Sequence, residues 1–435
     1  MDGHRHPFAT YYPQVLNHIE NDPTPKDQAV YIPSVMPSYA IAAYEQRWQR
    51  ALPAGLSNNS LNFLDPANRE FFHISHVMSS AGQALKQNRP CIITERDRSA
   101  TTLICDSGGY QISQNSKRIN AHRDRATILR WMELNADYAM TLDVPTGPVL
   151  KPGYAFASTA DCLTQTLDHL DFFQRNRRST ELKLLNVLQG NNPDEADTWY
   201  ESVKRYKFEG WAFAGLLRHN MFEVCRRIIV MADENQLQDK VWIHVLGTCE
   251  LETAVLLTAV QRSINRHINP KLRISFDTSS PFLLLSTMQS YSIPILDTQR
   301  MSMPSRKVPD GAAYVGNPLP WPWPSPIGNL ATLADFCVEK DVTASTNFDN
   351  VSRHLLAHHN LSALCWAIAL ANRVFDSELL EHEHTIARHV GSGVEAIDQV
   401  LKAGSEYVLR RYENTFSRLR HGKIYDGGEE QRPVP

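Results

Sequence analysis

The chain has 435 residues, of which 42% are hydrophobic and 21% are charged, and its formal net charge is −3. This balance is typical of a globular protein with one large or two smaller domains, and it provides no overall basic charge for a nucleic acid. It contains no run of about 18 apolar residues, so we expect no membrane-spanning helix. Seven scattered cysteines and an N-terminus without the apolar core of a signal peptide predict free thiols and a cytoplasmic location.

Short apolar or β-branched runs alternate along the chain with longer stretches of helical character. The predicted strands are 29–35, 103–105, 138–142, 182–188, 211–214, 241–246 and 272–276, with the second strand at either 61–64 or 91–94. The predicted helices between them are 121–134, 158–174, 194–206, 223–235 and 250–265. This alternation predicts an α/β protein with a parallel sheet, and the number of units favours a (β/α)8 TIM barrel.

The chain is expected to divide into four parts. Residues 1–28 form an N-terminal arm, 29–330 the TIM-barrel catalytic domain, 331–420 a helical C-terminal region and 421–435 a flexible tail. Prolines are frequent between 278 and 330 and predict long irregular insertions at the end of the barrel.

The run Cys105-Asp106-Ser107-Gly108-Gly109-Tyr110-Gln111 directly follows a predicted strand. Its two glycines allow a ligand to approach the backbone closely. A flat polar ring such as a purine base would stack on Tyr110 and accept or donate hydrogen bonds at its edge to Asp106, Ser107 and Gln111. The alternative is a glycine turn capped by an aspartate, and spacing alone does not separate the two interpretations.

Further polar motifs follow the later strands. They are Leu142-Asp143-Val144-Pro145, Asn186-Val187-Leu188-Gln189-Gly190, Phe213-Ala214-Gly215-Leu216, His244-Val245-Leu246-Gly247 and Ile274-Ser275-Phe276-Asp277. The C-terminal ends of the strands in a TIM barrel converge on one active site. We therefore expect all these motifs to contribute to a single site.

The ordered set of motifs, from Cys105 to about Pro281, resembles the tRNA-guanine transglycosylase family (queuine or archaeosine tRNA-ribosyltransferases), which exchanges guanine in a nucleic acid for a 7-deazaguanine. The resemblance implies that Asp277 is the nucleophile that captures C1′ of the sugar and that Asp106 is the general acid–base. It also implies that Asp143 accepts hydrogen bonds from N1–H and the 2-amino group of guanine. The local alternative for Asp143 and Asp277 is a capping role in the turns that follow.

The same resemblance assigns base-binding roles to the other motif residues. Gln189 and the backbone amide of Gly215 serve the 6-oxo group, and the Leu216 carbonyl faces the substituent at position 7. Tyr110 covers one face of the base and His244 the other, although a lone histidine is more often a structural residue. The remaining expected substrate-binding residues are Ser107, Gly108, Gly109, Gln111 and Gly190.

The chain departs from the family at its structural zinc site, which would lie in region 331–420 together with the last barrel helix. Family members bind this zinc with three closely spaced cysteines and a later histidine. His359 matches the histidine, but Cys337 alone lies near the cysteine positions. These two are weak metal candidates, with Cys365, His354 or His358 as substitutes. We expect no zinc or an atypical site, and the chemistry requires no cofactor.

The segment Phe276-Asp277-Thr278-Ser279 is closest to the archaeal branch, whose incoming base is 7-cyano-7-deazaguanine, but the chain is too short for the RNA-binding domains of that branch. It is most similar to the DNA-modifying, DpdA-type members. The resemblance therefore implies a pentosyltransferase that acts on DNA in the cytoplasm of a bacterial or phage-infected cell, as a homodimer or with partner proteins of a DNA-modification system.

Three alternatives remain: a tRNA-directed enzyme of the same mechanism, a non-catalytic nucleic-acid-binding partner subunit, and a barrel glycosidase. A subunit without catalysis has no need to keep Asp106, Asp143 and Asp277 together, and a glycosidase has no use for the purine-shaped motifs. Basic patches that would meet a nucleic acid are predicted at 204–207, at Arg218 and at 300–307.

Overall fold

The computed structural model describes residues 27–84, 89–109, 121–339, 346–376 and 387–419. Eight parallel strands form its centre: β1 Val30–Pro33, β2 His76–Ser80, β3 Thr102–Asp106, β4 Tyr138–Met140, β5 Lys183–Leu188, β6 Gly210–Phe213, β7 Trp242–Val245 and β8 Arg273–Thr278. They pair in the order β1-β8-β7-β6-β5-β4-β3-β2. Ser34 pairs with Met78 across the remaining gap between β1 and β2. The nearly closed cylinder confirms the predicted TIM barrel.

Helices follow the strands around the barrel: α1 Pro37–Glu45, α2 Ala81–Ala84, α3 Ala121–Asn135, α4 Thr159–Asn176, α5 Pro193–Val203, α6 Met221–Asp233 and α7 Leu251–His267. Three of them begin where the sequence provides a capping side chain. Ser158, Asn192 and Asn220 each accept a backbone N–H from the first turn of α4, α5 and α6, respectively. The polar residues after β4, β5 and β6 therefore lie between a strand end and a defined helix start.

The chain after β8 forms an insertion and then a helical region. The insertion contains α8 Ser280–Leu283, β9 Gln289–Tyr291, β10 Ile295–Leu296, β11 Met301–Ser302, β12 Ser305–Lys307 and α9 Leu333–Phe336. The helical region contains α10 Asn350–Phe375, α11 Arg388–Ala403, α12 Glu406–Arg411 and α13 Glu413–Phe416. α10 packs against α7 and β1, the place of the eighth barrel helix, and α11 packs on α7. The predicted helical C-terminal region is thus present, and no helix in the described ranges has the length and apolarity needed to cross a membrane.

The predicted position of the second strand was wrong. β2 is His76–Ser80, whereas Leu61 ends a short 3-10 helix and residues 92–95 form a turn. β2 was difficult to recognise because Val77 and Met78 are its only apolar residues; Val77 faces the helices and Met78 the barrel interior. The expected N-terminal arm, up to residue 26, and the expected tail lie outside the described residues.

The strands alternate between two faces, and this alternation positions the site. An apolar cluster fills the barrel interior and consists of Val30, Ile32, Met78, Ile104, Met140, Leu185, Val187, Ala212, Ala214 and Trp242. The next inward-facing positions along five strands are polar instead, and they are Ser80, Asp106, Gln189, His244 and Asp277. The barrel is therefore closed by apolar side chains below and presents polar side chains at the C-terminal ends of its strands.

Candidate active site

Asp277 lies in β8, and its carboxylate is held from the neighbouring strand. β7 and β8 pair so that His244 lies beside Ser275, two residues before Asp277. The Gly247 backbone N–H donates to Asp277 Oδ1 at 2.7 Å, and His244 Nε2 lies 3.2 Å from the same oxygen. Among the described residues Oδ2 makes no hydrogen bond, and Asp277 is 7% exposed. One carboxylate oxygen is thus fixed while the other is left for a ligand.

Asp106 ends β3 and is half-buried. Its Oδ2 accepts the Gly108 backbone N–H at 3.1 Å, and the Ser80 side chain, opposite it in β2, also hydrogen bonds to it. Burial raises the pKa of Asp106 above its ordinary value, and the Asp277 carboxylate adds to this, while the hydrogen bonds from Ser80 and Gly108 oppose it. The two aspartates are therefore close enough to interact electrostatically, and Asp106 retains a proton more readily than a free aspartate.

Asp143 follows β4 and is almost completely buried. The Gln189 Nε2–H donates to Asp143 Oδ2 at 2.6 Å. The pKa of Asp143 is raised to about 7, mainly by burial and also by the Asp106 carboxylate, while the hydrogen bond from Gln189 works against this rise. A Cβ added at Gly109 would lie 3.2 Å from Asp143 Oδ1, which is tighter than an ordinary contact, so glycine is the residue that brings the two turns together without a shift. The motifs that contain Asp106, Asp143 and Gln189 therefore meet at one place, as expected from a barrel.

The turn at Gly215 packs directly on the turn at Gly190. Gly215 has a φ of +55°, and an added Cβ would lie 2.3 Å from the Gly190 carbonyl oxygen, so this position requires glycine. The Leu216 N–H donates to that carbonyl at 2.8 Å. The Leu216 carbonyl in turn accepts the N–H groups of His219 and Asn220, both at 3.2 Å. The carbonyl thus already accepts two backbone hydrogen bonds within the turn, and its expected contact with the 7-substituent stays a prediction.

Other expected base-binding residues have different surroundings. The Ser107 hydroxyl is buried and has no hydrogen-bond partner within the described part of the chain. This hydroxyl is therefore available to a further hydrogen-bond partner. The His244 ring is fully buried, and its two nitrogens contact residues of β8, so its surroundings differ from those of a cover for a base. Tyr110 and Gln111 lie outside the described residues.

The weak metal candidate His359 is part of a hydrogen-bond network. Its Nε2 lies 3.0 Å from the Tyr291 carbonyl, which can only accept, so Nε2 carries the proton. Its Nδ1 lies 2.7 Å from Ser325 Oγ and accepts from that hydroxyl. No nitrogen lone pair of His359 is left for a metal. Cys337 Sγ lies 3.6 Å from the Gly311 carbonyl, and the described ranges contain no cluster of three or more suitable metal ligands.

The histidines suggested as substitutes are in aromatic surroundings. The His354 ring stacks on Tyr39, with 5.5 Å between the ring centroids. The centroid of the His358 ring lies 5.6 Å from that of Phe71 and 5.2 Å from that of Phe72. Burial lowers the pKa of His358 to about 3, so it is neutral at physiological pH. Both side chains thus contribute to packing around α10.

The basic patches expected to meet a nucleic acid lie at different ends of the barrel. Lys204 follows the C-terminal end of α5, which is the end of the barrel opposite to the site, and it pairs with Glu201 at 2.8 Å and Glu234 at 3.0 Å. The patch at 204–207 is therefore badly placed for a ligand at the strand C-termini. Arg218 ends the turn after β6, close to Gly247, and the basic residues at 300–307 belong to the insertion after β8.

Sequence analysis did not identify four contributors to the site. Ser80 supports Asp106, Gly247 supports Asp277, and Trp242 and Ser275 contact the residues beside them on β7 and β8. A period of two along the predicted strands would have indicated two of them, since Trp242 and Ser275 face the barrel interior, whereas Ser80 lies on the strand that was not predicted. The sequence alone did not show which strands are neighbours in the barrel.

No protein-family model matches the chain, and a search of curated proteins finds no significant match. Its function is therefore inferred from the residues of the site and from the resemblance of their motifs.

Proposed function

We propose that this protein is a guanine transglycosylase that replaces guanine in DNA with a 7-deazaguanine, with 7-cyano-7-deazaguanine as the incoming base. The observation that carries the proposal is the convergence of Asp106, Asp143 and Asp277 at the C-terminal ends of the barrel strands. The order and identity of these aspartates match the resemblance described above. Gln189, bonded to Asp143, completes a set with separate groups for the sugar and the base.

In the first half of the exchange, Asp277 Oδ2 bonds to C1′ of the nucleotide while the bond from C1′ to N9 of guanine breaks. The electron pair of that bond moves to the departing base, and Asp106 supplies a proton to it. The raised pKa of Asp106 suits this acid role. In the second half, Asp106 removes the N9 proton of the 7-deazaguanine, whose N9 attacks C1′ and releases Asp277.

Base selection is assigned to the opposite side of the site. The ionised Asp143 accepts hydrogen bonds from N1–H and the 2-amino group, which distinguish guanine from adenine. One N–H of the Gln189 amide binds Asp143, and its second N–H is available for the 6-oxo group. The Ser107 hydroxyl, buried and unpaired within the described residues, gives the base one further partner.

DNA is proposed as the acceptor because the motifs are most similar to DNA-modifying members of the family and because His359 is engaged in hydrogen bonds instead of the family's zinc site. A base within a duplex is out of reach of a barrel mouth, so the target nucleotide must be flipped out. Arg218 and the basic residues at 300–307 lie on the side of the barrel from which the nucleic acid would approach.

The test is incubation of the protein with radiolabelled guanine and, in parallel, duplex DNA, single-stranded DNA or total tRNA. We expect label in DNA and a covalent protein–DNA adduct on a denaturing gel. Asp277→Asn should abolish both, and Asp239→Asn, at an exposed aspartate in the loop before β7, should change neither. Label in tRNA alone would assign the acceptor to tRNA. Binding of nucleic acid without label or adduct would identify a non-catalytic subunit and overturn the proposal.

A further inference from the structure

A continuous chain of hydrogen bonds runs through the barrel interior and ends at Asp277. Trp242 Nε1 lies 2.6 Å from Ser275 Oγ, and Ser275 Oγ lies 2.7 Å from His244 Nδ1. His244 Nε2 then lies 3.2 Å from Asp277 Oδ1. Each of the four residues is at most 7% exposed. The parallel pairing of β7 with β8 places Ser275 beside His244 and so brings the four side chains together.

The chemistry of the four groups gives this chain a single direction. An indole N–H can only donate, so Ser275 Oγ accepts the bond from Trp242. A carboxylate oxygen can only accept, so His244 Nε2, which faces Asp277 Oδ1, carries a proton. In the neutral imidazole Nδ1 is then an acceptor, and the Ser275 hydroxyl donates its one proton to it.

We propose that Trp242 and Ser275 are positioning residues that hold His244 as a neutral Nε2–H donor to the nucleophile. This inference rests on the proposed function of Asp277. With the Gly247 N–H, His244 fixes Oδ1 of the carboxylate, so that Oδ2 is the oxygen that attacks C1′. When the aspartyl ester forms, Oδ1 becomes its carbonyl oxygen and still accepts both bonds, and no proton moves along the chain.

The kinetic test uses Ser275→Ala, which leaves the Trp242 N–H and His244 Nδ1 without a partner. In a single turnover, we expect adduct formation to slow by about 10–100-fold, as for other groups that orient a catalytic residue. Guanine affinity should stay within about twofold because Asp143 and Gln189 are untouched. Ser275→Thr keeps a hydroxyl on a strand and should restore the rate to within about threefold of the wild type.

The matched control is Ser362→Ala, which removes an equally buried hydroxyl from α10, where it binds the His358 carbonyl. It should leave the rate of adduct formation unchanged. A Ser275→Ala protein with a normal rate, or one that loses guanine affinity and rate to the same extent, would overturn the positioning role. His244→Gln, whose amide N–H can replace Nε2–H, should lose less rate than His244→Leu.

Nitrogen-15 NMR of histidine-labelled protein tests the same chain without any activity. At pH 9, where an imidazole is neutral, the His244 signals, assigned with His244→Gln, should show the Nε2–H tautomer and should move towards a mixture of tautomers in Ser275→Ala. An Nδ1–H tautomer in the wild type would overturn the inference whatever the activity. If no guanine-containing nucleic acid gives an adduct, the proposed function fails, and the tautomer in the two proteins still decides whether Ser275 positions His244.

Discussion

Two groups of buried polar side chains in this protein differ in how completely they are hydrogen-bonded. Under α10, His359 donates to the Tyr291 carbonyl and accepts from the Ser325 hydroxyl, so both ring nitrogens are paired. At the barrel mouth, Asp143 receives one side-chain hydrogen bond, and the buried Ser107 hydroxyl has no partner in the described residues. Full pairing is what stability alone demands of buried polar groups. The incomplete pairing at the mouth leaves the Ser107 hydroxyl available to a ligand.

Burial also shifts the pKa values of His359 and Asp143, one from each cluster, and only the shift of Asp143 brings a group into the range around pH 7. It lowers the pKa of His359 to about 4, so that this histidine stays neutral at any pH near 7. It raises the pKa of Asp143 to about 7, into the range around neutral pH. The cluster under α10 is therefore insensitive to physiological pH, whereas the mouth titrates within it.

Asp143→Asn gives the largest expected effect. We expect guanine affinity, measured by calorimetric titration, to fall by roughly 100-fold or more, because an amide N–H would face the N–H groups of the base. The fold should gain stability. Since the pKa of Asp143 rises from 3.8 to about 7 on folding, the folded state holds the proton more tightly, and the free energy of unfolding falls as the pH rises from about 4 to about 7.

Asparagine cannot ionise, so the melting temperature of Asp143→Asn at pH 8 should exceed that of the wild type by roughly 2–5 °C. The difference should shrink towards pH 4. Asp233→Asn, at the exposed aspartate that ends α6, serves as the control and should change neither quantity. If Asp143→Asn lost stability and guanine affinity together at pH 8, the residue would be a turn cap.

The pH dependence of the wild type gives a smaller effect. Guanine affinity should rise about tenfold between pH 6 and pH 8, following the ionised fraction of an acid with a pKa of about 7. The reason is that protonated Asp143 presents a hydroxyl donor to a base edge that itself donates. Calorimetric titrations across this range would show the rise in the wild type and a flat profile in Asp143→Asn. A flat wild-type profile would mean that Asp143 does not bind the base.

His359→Ala should have no effect on guanine affinity or on the rate of adduct formation per folded molecule. It should lower the free energy of unfolding by roughly 2–3 kcal/mol, because the Tyr291 carbonyl and the Ser325 hydroxyl lose their partner. Urea unfolding followed by circular dichroism measures this, with His267→Ala on the surface of α7 as the control. A chelator should leave the wild-type melting temperature unchanged. A large drop in that temperature would indicate that His359 binds a metal.

Much of the barrel was predictable, and the exceptions have physical causes. Strands such as Lys183–Leu188 were recognised because they are buried on both faces and therefore almost continuously apolar. β2 was missed because its two apolar residues face opposite ways. At the candidate site, the motifs predicted that Asp106, Asp143 and Asp277 come together, and the structure brings them close. The contact assigned to Leu216 stays a prediction, and the turn after β6 uses its carbonyl for backbone hydrogen bonds.

The amino-acid order alone determined the alternation of strands and helices, the C-terminal position of the polar motifs on their strands, and the face on which each polar residue lies. These properties depend on near neighbours in the chain. Only the closed barrel decided that Gln189 bonds to Asp143 and that Trp242, Ser275 and His244 lead to Asp277. Such contacts join different strands, and their distances depend on strand order and register, which burial of the whole core fixes together.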